Sequence, residues 1–462
     1  MARIVRWSLL AVAILTLPIF LWPGVVLVRD LRDPALRGPG IPAHARELHA
    51  ALTPKFADWA RQRVAAGSAA RAPLHDVPTT EWPMFTAVFY LMATESLVVD
   101  WEAQGRHGPS PGIASTQAVR AAKALLLDPA HHSWVRTHWG EDYLHDQNVF
   151  FRSLLIAGLS SYEHITGDGT ALPMLRDQVE TLSAALDASP LGVLEDYPGE
   201  TYPIDVLAAV GFIERADRVL GTDHTAFIER SRRAFTGAMA DQLGLVPFRM
   251  DLPSGAQVQP ARGIGTSWIL LFVPDLYGPE TARDWYGRYA RSFYQQRGWA
   301  EGFREYARGS AEPEFTFEID AGPVIDGFGT AASAFGIAAA RRNGRFDHAY
   351  ALSAQLAAAG WTLPGGTMVF PRLASHATDA PYLGEAAILC FLTVQPAPNT
   401  PIVSDDAIPG LARIGLVVFF GVPVLAWGAW LIALRHALRR RARNRGEATR
   451  TANAQPSAAE QT

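Results

Sequence analysis

Between Gly192 and Asp205 the chain reads Gly-Val-Leu-Glu-Asp-Tyr-Pro-Gly-Glu-Thr-Tyr-Pro-Ile-Asp, which holds Glu195, Asp196, Glu200 and Asp205 together with Tyr197 and Tyr202. It runs directly into an apolar segment, Val206 to Ile213. Carboxyls and phenols at the end of a buried helix are costly unless they are paired or used. With one carboxyl held neutral and another ionised, such a group performs general acid–base chemistry. The structural use of the same residues is helix capping, or pairing with Arg249 and Arg262.

Other segments share this composition: Trp139 to Asn148, Arg249 to Asp251, Gln259 to Arg262, Glu314 to Asp326, and His376 to Glu385. Candidate catalytic residues are therefore Asp196, Asp205, Glu200, Tyr202, Tyr197, Tyr143, Glu318 and Asp320. Candidate substrate-binding residues are Asp142, Asp146, Asn148, Arg249, Arg262, Trp268 and Asp326. His138, His145, Asp142 and Asp146 do not follow the spacing of a metal motif, so no metal is assigned. No glycine-rich phosphate loop, serine elbow or dinucleotide fingerprint occurs, and no cofactor is expected. Cys390 is the only cysteine, which excludes an intrachain disulfide; within Ala386 to Leu392 it reads as a buried, inert thiol.

Each acidic segment leads into an apolar, small-residue run. Such helices are expected to open near Pro83-Met84, Asp146–Asn148, Pro203-Ile204, Gly263-Ile264, Gly322-Pro323 and Tyr382-Leu383, about every 60 residues, a period typical of stacked or closed repeats. Between them lie amphipathic helices at 43–66, 115–127, 171–187, 223–241, 279–297 and 346–359; the first carries the stripe Leu48, Leu52, Phe56 and Trp59. Helices apolar on all faces belong inside and one-faced helices outside, which predicts an all-α (α/α)6 barrel, a six-hairpin toroid. Short alternating stretches at 247–251 and 314–319 predict small hairpins over its mouth. Segments entering the inner helices gather at that mouth, whereas the opposite connections, such as Thr166–Gly169, Gly221–Asp223 and Asn343–Arg345, are short turns. The asymmetry points to a site at the mouth.

Two further stretches lack charge, Trp7 to Val28 and Ile414 to Leu434. Both are long enough to span a bilayer as helices, and the first reads as a retained anchor rather than a cleaved signal. Pro18 and Pro23 are expected to kink it. Arg3 and Arg6 precede the first, and the basic run Arg435 to Arg445 follows the second. By the positive-inside rule both termini are cytoplasmic and the domain between them is outside. The expected organisation is an anchor at 1–28, a linker at 29–42, the barrel at 43–398, a linker at 399–413, a second span at 414–434 and a cytoplasmic tail at 435–462. The net charge of −4 combines +2 before residue 29, +5 after residue 413 and −11 between them. An acidic external domain argues against nucleic acid as a partner, and the basic tail suits anionic lipid.

From Asn148 through Tyr162-Glu-His-Ile-Thr-Gly167, Ala188-Ser-Pro-Leu-Gly192 and Ala216-Asp-Arg-Val-Leu-Gly-Thr-Asp223, the order and spacing resemble the linalool dehydratase/isomerase family. Pro247-Phe, Gly255-Ala and Thr266-Ser-Trp268 continue the similarity, which spans roughly residues 80–395. The resemblance implies an (α/α)6 barrel in the bacterial periplasm that removes water from, and rearranges, a monoterpene alcohol without a cofactor. It assigns this chemistry to two cysteines whose places are taken here by Asp196 and Asp205, with the same spacing of nine. A pocket histidine of the family falls near Leu154 and a tyrosine near Ile264.

The leading expectation is thus an enzyme of the bacterial inner membrane, two-pass, that dehydrates, isomerises or hydrates an alcohol. Asp196 and Asp205 would be proton donor and acceptor, and Tyr143, Tyr197 and Tyr202 would orient the hydroxyl. A glycoside hydrolase or polysaccharide lyase on the same barrel, with Glu318 or Asp320 as acid, is the alternative. A non-catalytic envelope binding or scaffold protein is the third, since fold alone does not decide function. Expected partners are a terpenoid alcohol or carbohydrate and the lipid bilayer; oligomer formation stays open.

Overall fold

The computed structural model describes residues 2–71, 77–237, 239–376 and 378–453. Met1, residues 454–462 of the basic tail, Ala238 in the 223–241 helix and Ala377 in the last acidic segment lie outside them. The chain is mostly helical, with a few short strands.

The first apolar stretch forms α1 (Ala2–Thr16) and α2 (Trp22–Leu31), joined by a π-helical turn at Leu17–Leu21. The turn contains Pro18, whose missing N–H and ring would break regular α-helical bonding; the wider turn keeps the helix continuous. Polar and apolar helices then alternate. They are α3 (Ala43–Ala65), α4 (Trp82–Ala103), α5 (Thr116–Leu126), α6 (Val149–Thr166), α7 (Leu172–Ala188), α8 (Pro203–Leu220) and α9 (Thr225–Thr236). A hairpin follows, β1 (Arg249–Asp251) with β2 (Ala256–Gln259), then α10 (Gly263–Ile269) and α11 (Val273–Phe293). The antiparallel pair β3 (Tyr294–Gln296) and β4 (Glu301–Phe303) comes next. A three-stranded sheet is made by β5 (Thr316–Glu318), β6 (Gly322–Ile325) and β7 (Phe328–Gly329). The chain ends with α12 (Thr330–Arg342), α13 (Phe346–Gly360), α14 (Val369–His376), α15 (Leu383–Thr393) and the long α16 (Gly410–Asn453).

Five of the expected apolar helices begin within a few residues of their predicted starts. The fifth in order does not: Gly322-Pro323 opens a strand, and the helix begins only at Thr330. Gly322 has φ +65°, outside the helical region, and Thr316, Phe317 and Glu318 pair across to 322–324. The 279–297 helix also ends early, because 294–296 become β3. Its start lies at a break, where Gly278 takes φ +83° and Pro279 restarts the helix.

Packing explains the two helix types. Apolar α4 contacts α6, α6 contacts α8, α8 contacts α10, α10 contacts α12, α12 contacts α15, and α15 contacts α4. The amphipathic helices cover them: α3 and α5 lie on one another and on α15 and α4, α7 on α6 and α8, α9 and α11 on α8, and α13 on α12. An aromatic cluster joins the apolar helices, with Trp268 edge-on to Phe89, Phe272 and Phe335, and Phe391 against Phe89 and Phe335. Close approach needs a missing side chain at Gly211 of α8, where a Cβ would lie 2.5 Å from the Phe272 ring. Gly211→Ala is therefore expected to destabilise the domain by roughly 1–3 kcal/mol through overpacking. A thermal melt lowered by several degrees, with the helical signal retained at low temperature, checks it.

Ile4–Leu31, Trp82–Ala103 and Gly410–Glu447 are each long and apolar enough to cross a membrane, and they suggest a membrane protein. They differ in surroundings. Helix α4 is mostly buried among its neighbours, whereas α1 and the middle of α16 expose Val12, Leu15, Val424 and Leu425. The two outer spans pack together, with a Cβ on Gly24 falling 2.9 Å from Phe419, a small-residue contact of the kind that joins membrane helices.

Candidate active site

The loop from Glu195 to Tyr202 is a tight hairpin. Asp196 N–H donates to the Glu200 carbonyl at 2.9 Å, Glu200 N–H donates to the Tyr197 carbonyl at 2.8 Å, and Gly199 turns the chain with φ +80°. Neighbouring loops are stitched to it. Glu195 N–H donates to Gln147 Oε1 at 2.8 Å, Val149 N–H donates to the Glu195 carbonyl at 3.2 Å, and Met250 N–H donates to the Thr201 carbonyl at 3.1 Å. The acidic segments before α6, α8 and α10 thus form one continuous end of the domain, called the loop end below.

This scaffold fixes Asp196, which is 1% exposed. Its Oδ2 accepts from Tyr202 N–H at 2.8 Å; its Oδ1 is buried without a well-formed hydrogen bond, although the Phe150 N–H in the first turn of α6 also acts on the carboxyl. Asp205, half-buried in the first turn of α8, is its electrostatic neighbour. Burial, and then the charge of Asp205, raise the Asp196 carboxyl well above the usual range. Burial, and then Asp320, push Asp205 up to about 7. A third buried acid joins them, Glu81 at the start of α4, which accepts a hydrogen bond from the Tyr197 hydroxyl. Burial pushes Glu81 up to about 8; the bond from Tyr197 opposes this, and Asp320 and Asp205 reinforce it.

A second group lies alongside, neutralised by a cation. Arg262, between the rings of Phe248 (4.6 Å) and Tyr306 (5.2 Å), donates to Glu305 at 2.8 Å and to Glu318. Glu318 also accepts from the Tyr306 hydroxyl. Glu305 is fully buried, and burial pushes it up to about 7 even against the guanidinium. Asp320, exposed on the β5–β6 turn, bridges the two groups electrostatically, since it acts on both Asp205 and Glu81 and feels Arg262.

The structure therefore brings together Asp196, Asp205, Tyr197 and Asp320, with Glu318 and Arg262 beside them. Other expected site residues are engaged elsewhere. Tyr202 contributes its backbone N–H; its hydroxyl donates to Glu200 at 2.7 Å, and Glu200 pairs with Arg249 at 3.3 Å on the outer limb of the loop. Tyr143 is buried against Phe151 and Arg136, with its hydroxyl 2.9 Å from His132 Nδ1, so it does not reach the acids. Asp142 faces solvent and pairs with His145, which also meets Asp177. Asp146, exposed, turns its side chain back to Gln147 N–H while its carbonyl accepts from Arg152. Asn148 takes a left-handed conformation (φ 39°) before α6 and donates to the Tyr143 carbonyl, a helix-entry role. Trp268 is core, and Asp326 (φ 52°) shapes the turn before β7 and pairs with Arg297 at 3.4 Å. Short polar side chains tolerate these turn geometries, which explains their abundance here.

Glu81 and Glu305 carry little signal in the sequence. Glu81 stands directly before an apolar helix and obeys the same rule as Asp205; Glu305 follows a strand whose alternation is too brief to signal it. Cys390 is buried, and burial pushes its thiol up to about 12. Among the described residues no three His, Cys, Asp or Glu side chains are placed to share a metal ion.

A cavity of about 390 Å³ lies at the opposite ends of the apolar helices, lined by Glu95, His164, Arg215, Asp275, Arg342 and Cys390 among others. Its charges are paired: Glu95 accepts from Arg215 at 2.5 Å, meets His164 at 2.9 Å and is held at about 2, and Arg342 binds Asp275. An acid locked as a carboxylate by a guanidinium is a poor proton donor, so the acids of the loop end that lack a cationic partner are the stronger candidate. The chain matches no family model and no curated protein.

Proposed function

We propose that the protein is a membrane-anchored acid–base enzyme acting on an alcohol, by dehydration, isomerisation or hydration. The observation that carries this reading is the buried Oδ1 of Asp196, without a well-formed hydrogen bond, beside Asp205. A neutral carboxyl with such an oxygen is a proton donor waiting for an acceptor, and its neighbour, near 7, is a base at neutral pH. Asp196 protonates the hydroxyl as the C–O bond breaks and water leaves. Asp205 takes a proton from the adjacent carbon, and the C=C bond forms. Transfer of that proton from Asp205 back to Asp196 resets the pair; return of water at the other end of an allylic cation gives the isomer. Tyr197, whose hydroxyl donates to Glu81, holds a further protonated acid near the same space.

The circuit of contacts through α4, α6, α8, α10, α12 and α15, covered by amphipathic helices, supports the reading of an (α/α)6 barrel with the acids at its mouth. The motifs around 148–223 support kinship with the linalool dehydratase/isomerase family, with aspartates in its cysteine positions. The basic flanks of α1 and α16 support a two-pass topology with both termini cytoplasmic and the domain in the periplasm.

The test is incubation of the full-length protein in detergent with a panel of allylic and tertiary alcohols and of oligosaccharides, followed by mass spectrometry for loss or gain of water. Alcohol turnover should rise as Asp205 ionises through about pH 7 and fall once Asp196 loses its proton. Turnover of oligosaccharides alone would replace this reading with the glycosidase one.

A further inference from the structure

We infer that the loop end of the domain lies in the surface of the bilayer, so that the acid cluster takes a membrane-resident amphiphile: an alcohol whose apolar tail stays in lipid. The substrate class rests on the acid–base reading; the membrane contact does not.

The path of the two spans along α13 shows which end meets the membrane. At the start of α13, Arg37 donates to the Tyr350 hydroxyl at 3.0 Å. Near its C-terminus a Cβ on Gly415 would lie 2.9 Å from Ala358 and 3.3 Å from Leu27. One turn further, Trp361 packs on Phe20 and Phe419, at 5.0 and 4.9 Å, and its indole N–H donates to the Ile19 carbonyl at 2.9 Å. Beyond this level the spans stand clear of the domain. The end of α13 at Trp361 is also where the chain turns towards the N-terminus of α15, which is the loop end.

Length points the same way. From Trp7 to Pro18 and from Phe420 to Leu434, the free uncharged parts of the spans reach roughly 18 and 22 Å at ~1.5 Å per residue. A hydrocarbon core is about 30 Å thick, so either the bilayer thins or the loop end sinks to meet it.

The rim is built to sink. Phe317 on β5 and Phe315 and Ile319 on either side of it alternate with Thr316 and Glu318, and both phenylalanines are 69% exposed. Glu318 faces inward to Arg262, so the hairpin is polar towards the cluster and apolar outward. On the other side, α14 exposes Phe370 and Leu373, and the Phe370 ring lies 6.3 Å from Trp361. On the α14 side the apolar rim is thus continuous with the membrane spans, an arrangement that suits lipid rather than water.

The test uses the full-length protein in phosphatidylcholine–phosphatidylglycerol vesicles with a fluorophore on Phe317→Cys, Leu373→Cys or, at the opposite end, Ile113→Cys, in a Cys390→Ala background. Lipids carrying a nitroxide near the headgroup should quench the first two probes several-fold and leave the third unchanged. Equal quenching at all three, or at none, would overturn the membrane contact. For the substrate class, Phe315→Ser with Phe317→Ser should lower turnover of a long-chain alcohol in vesicles at least tenfold while sparing a short, water-soluble one. Equal loss on both alcohols would overturn the class. Absence of any alcohol turnover would sink the acid–base reading, with the quenching pattern still deciding the membrane contact.

Discussion

Asp196→Asn is expected to abolish turnover and leave the fold about as stable as before. The change is nearly isosteric with a neutral carboxyl, and its amide oxygen can still accept from Tyr202 N–H. Its NH2 takes the place of the hydroxyl of the neutral acid at Oδ1. What disappears is the transferable proton, and general acid catalysis is worth typically ~10²–10⁴-fold. Asp196 is already neutral, so the substitution removes no charge, and the melting midpoint should stay within a few degrees. Loss of activity with stability retained marks a group kept for function. Full activity of Asp196→Asn in the alcohol assay, or a collapsed melt, would assign the residue a structural role instead.

The second large effect is on stability against pH. Glu81 is held at about 8 and Asp205 and Glu305 at about 7, all far above an unfolded carboxyl. The native state therefore binds more protons than the unfolded chain between about pH 4.5 and 8. Its stability is fully present below that window and is lost as pH rises through it, by up to about 1.4 kcal/mol per unit for each proton. The domain should thus melt highest under mildly acidic conditions and lose several degrees by pH 8. Glu81→Gln keeps an acceptor for the Tyr197 hydroxyl and removes one of these protons. At pH 8 it should be more stable than the parent by an amount on the order of a few kcal/mol, with little difference near pH 4.5. Melts of both proteins in detergent across this range check it; a parent midpoint that is flat or rising with pH would refute the argument.

The helices were the most legible part of the chain, because all-round apolarity and one-faced stripes are properties of composition. Leu48, Leu52 and Phe56 are buried in α3 as their spacing requires. The start of α12 was misplaced because Gly322-Pro323 looks like a helix opening, while the strand pairing that overrides it comes from residues distant in sequence. In the site, Asp196 and Asp205 were visible as charge density next to an apolar helix. Tyr143, Asp142 and Asp146 carried the same signal and turned out to serve the entry into α6 and the outer surface. Composition names the loop but not which side of it faces inward. Glu81 was hidden for the opposite reason: a single acid has no density, and its role follows only from Tyr197 meeting it across the domain.

The position of α4 has a consequence for how the protein is made. By length and hydropathy α4 would pass for a membrane span, yet it sits among the apolar helices and is covered on one side by α15, which lies nearly three hundred residues later in the chain. During synthesis α4 emerges long before that partner exists. The insertion machinery must therefore not release it sideways into lipid. The polar residues on α4, Thr86, Thr94, Glu95 and Asp100, are the features available to tip that choice. Biogenesis of this protein thus hinges on an early helix staying uncommitted until a much later one arrives.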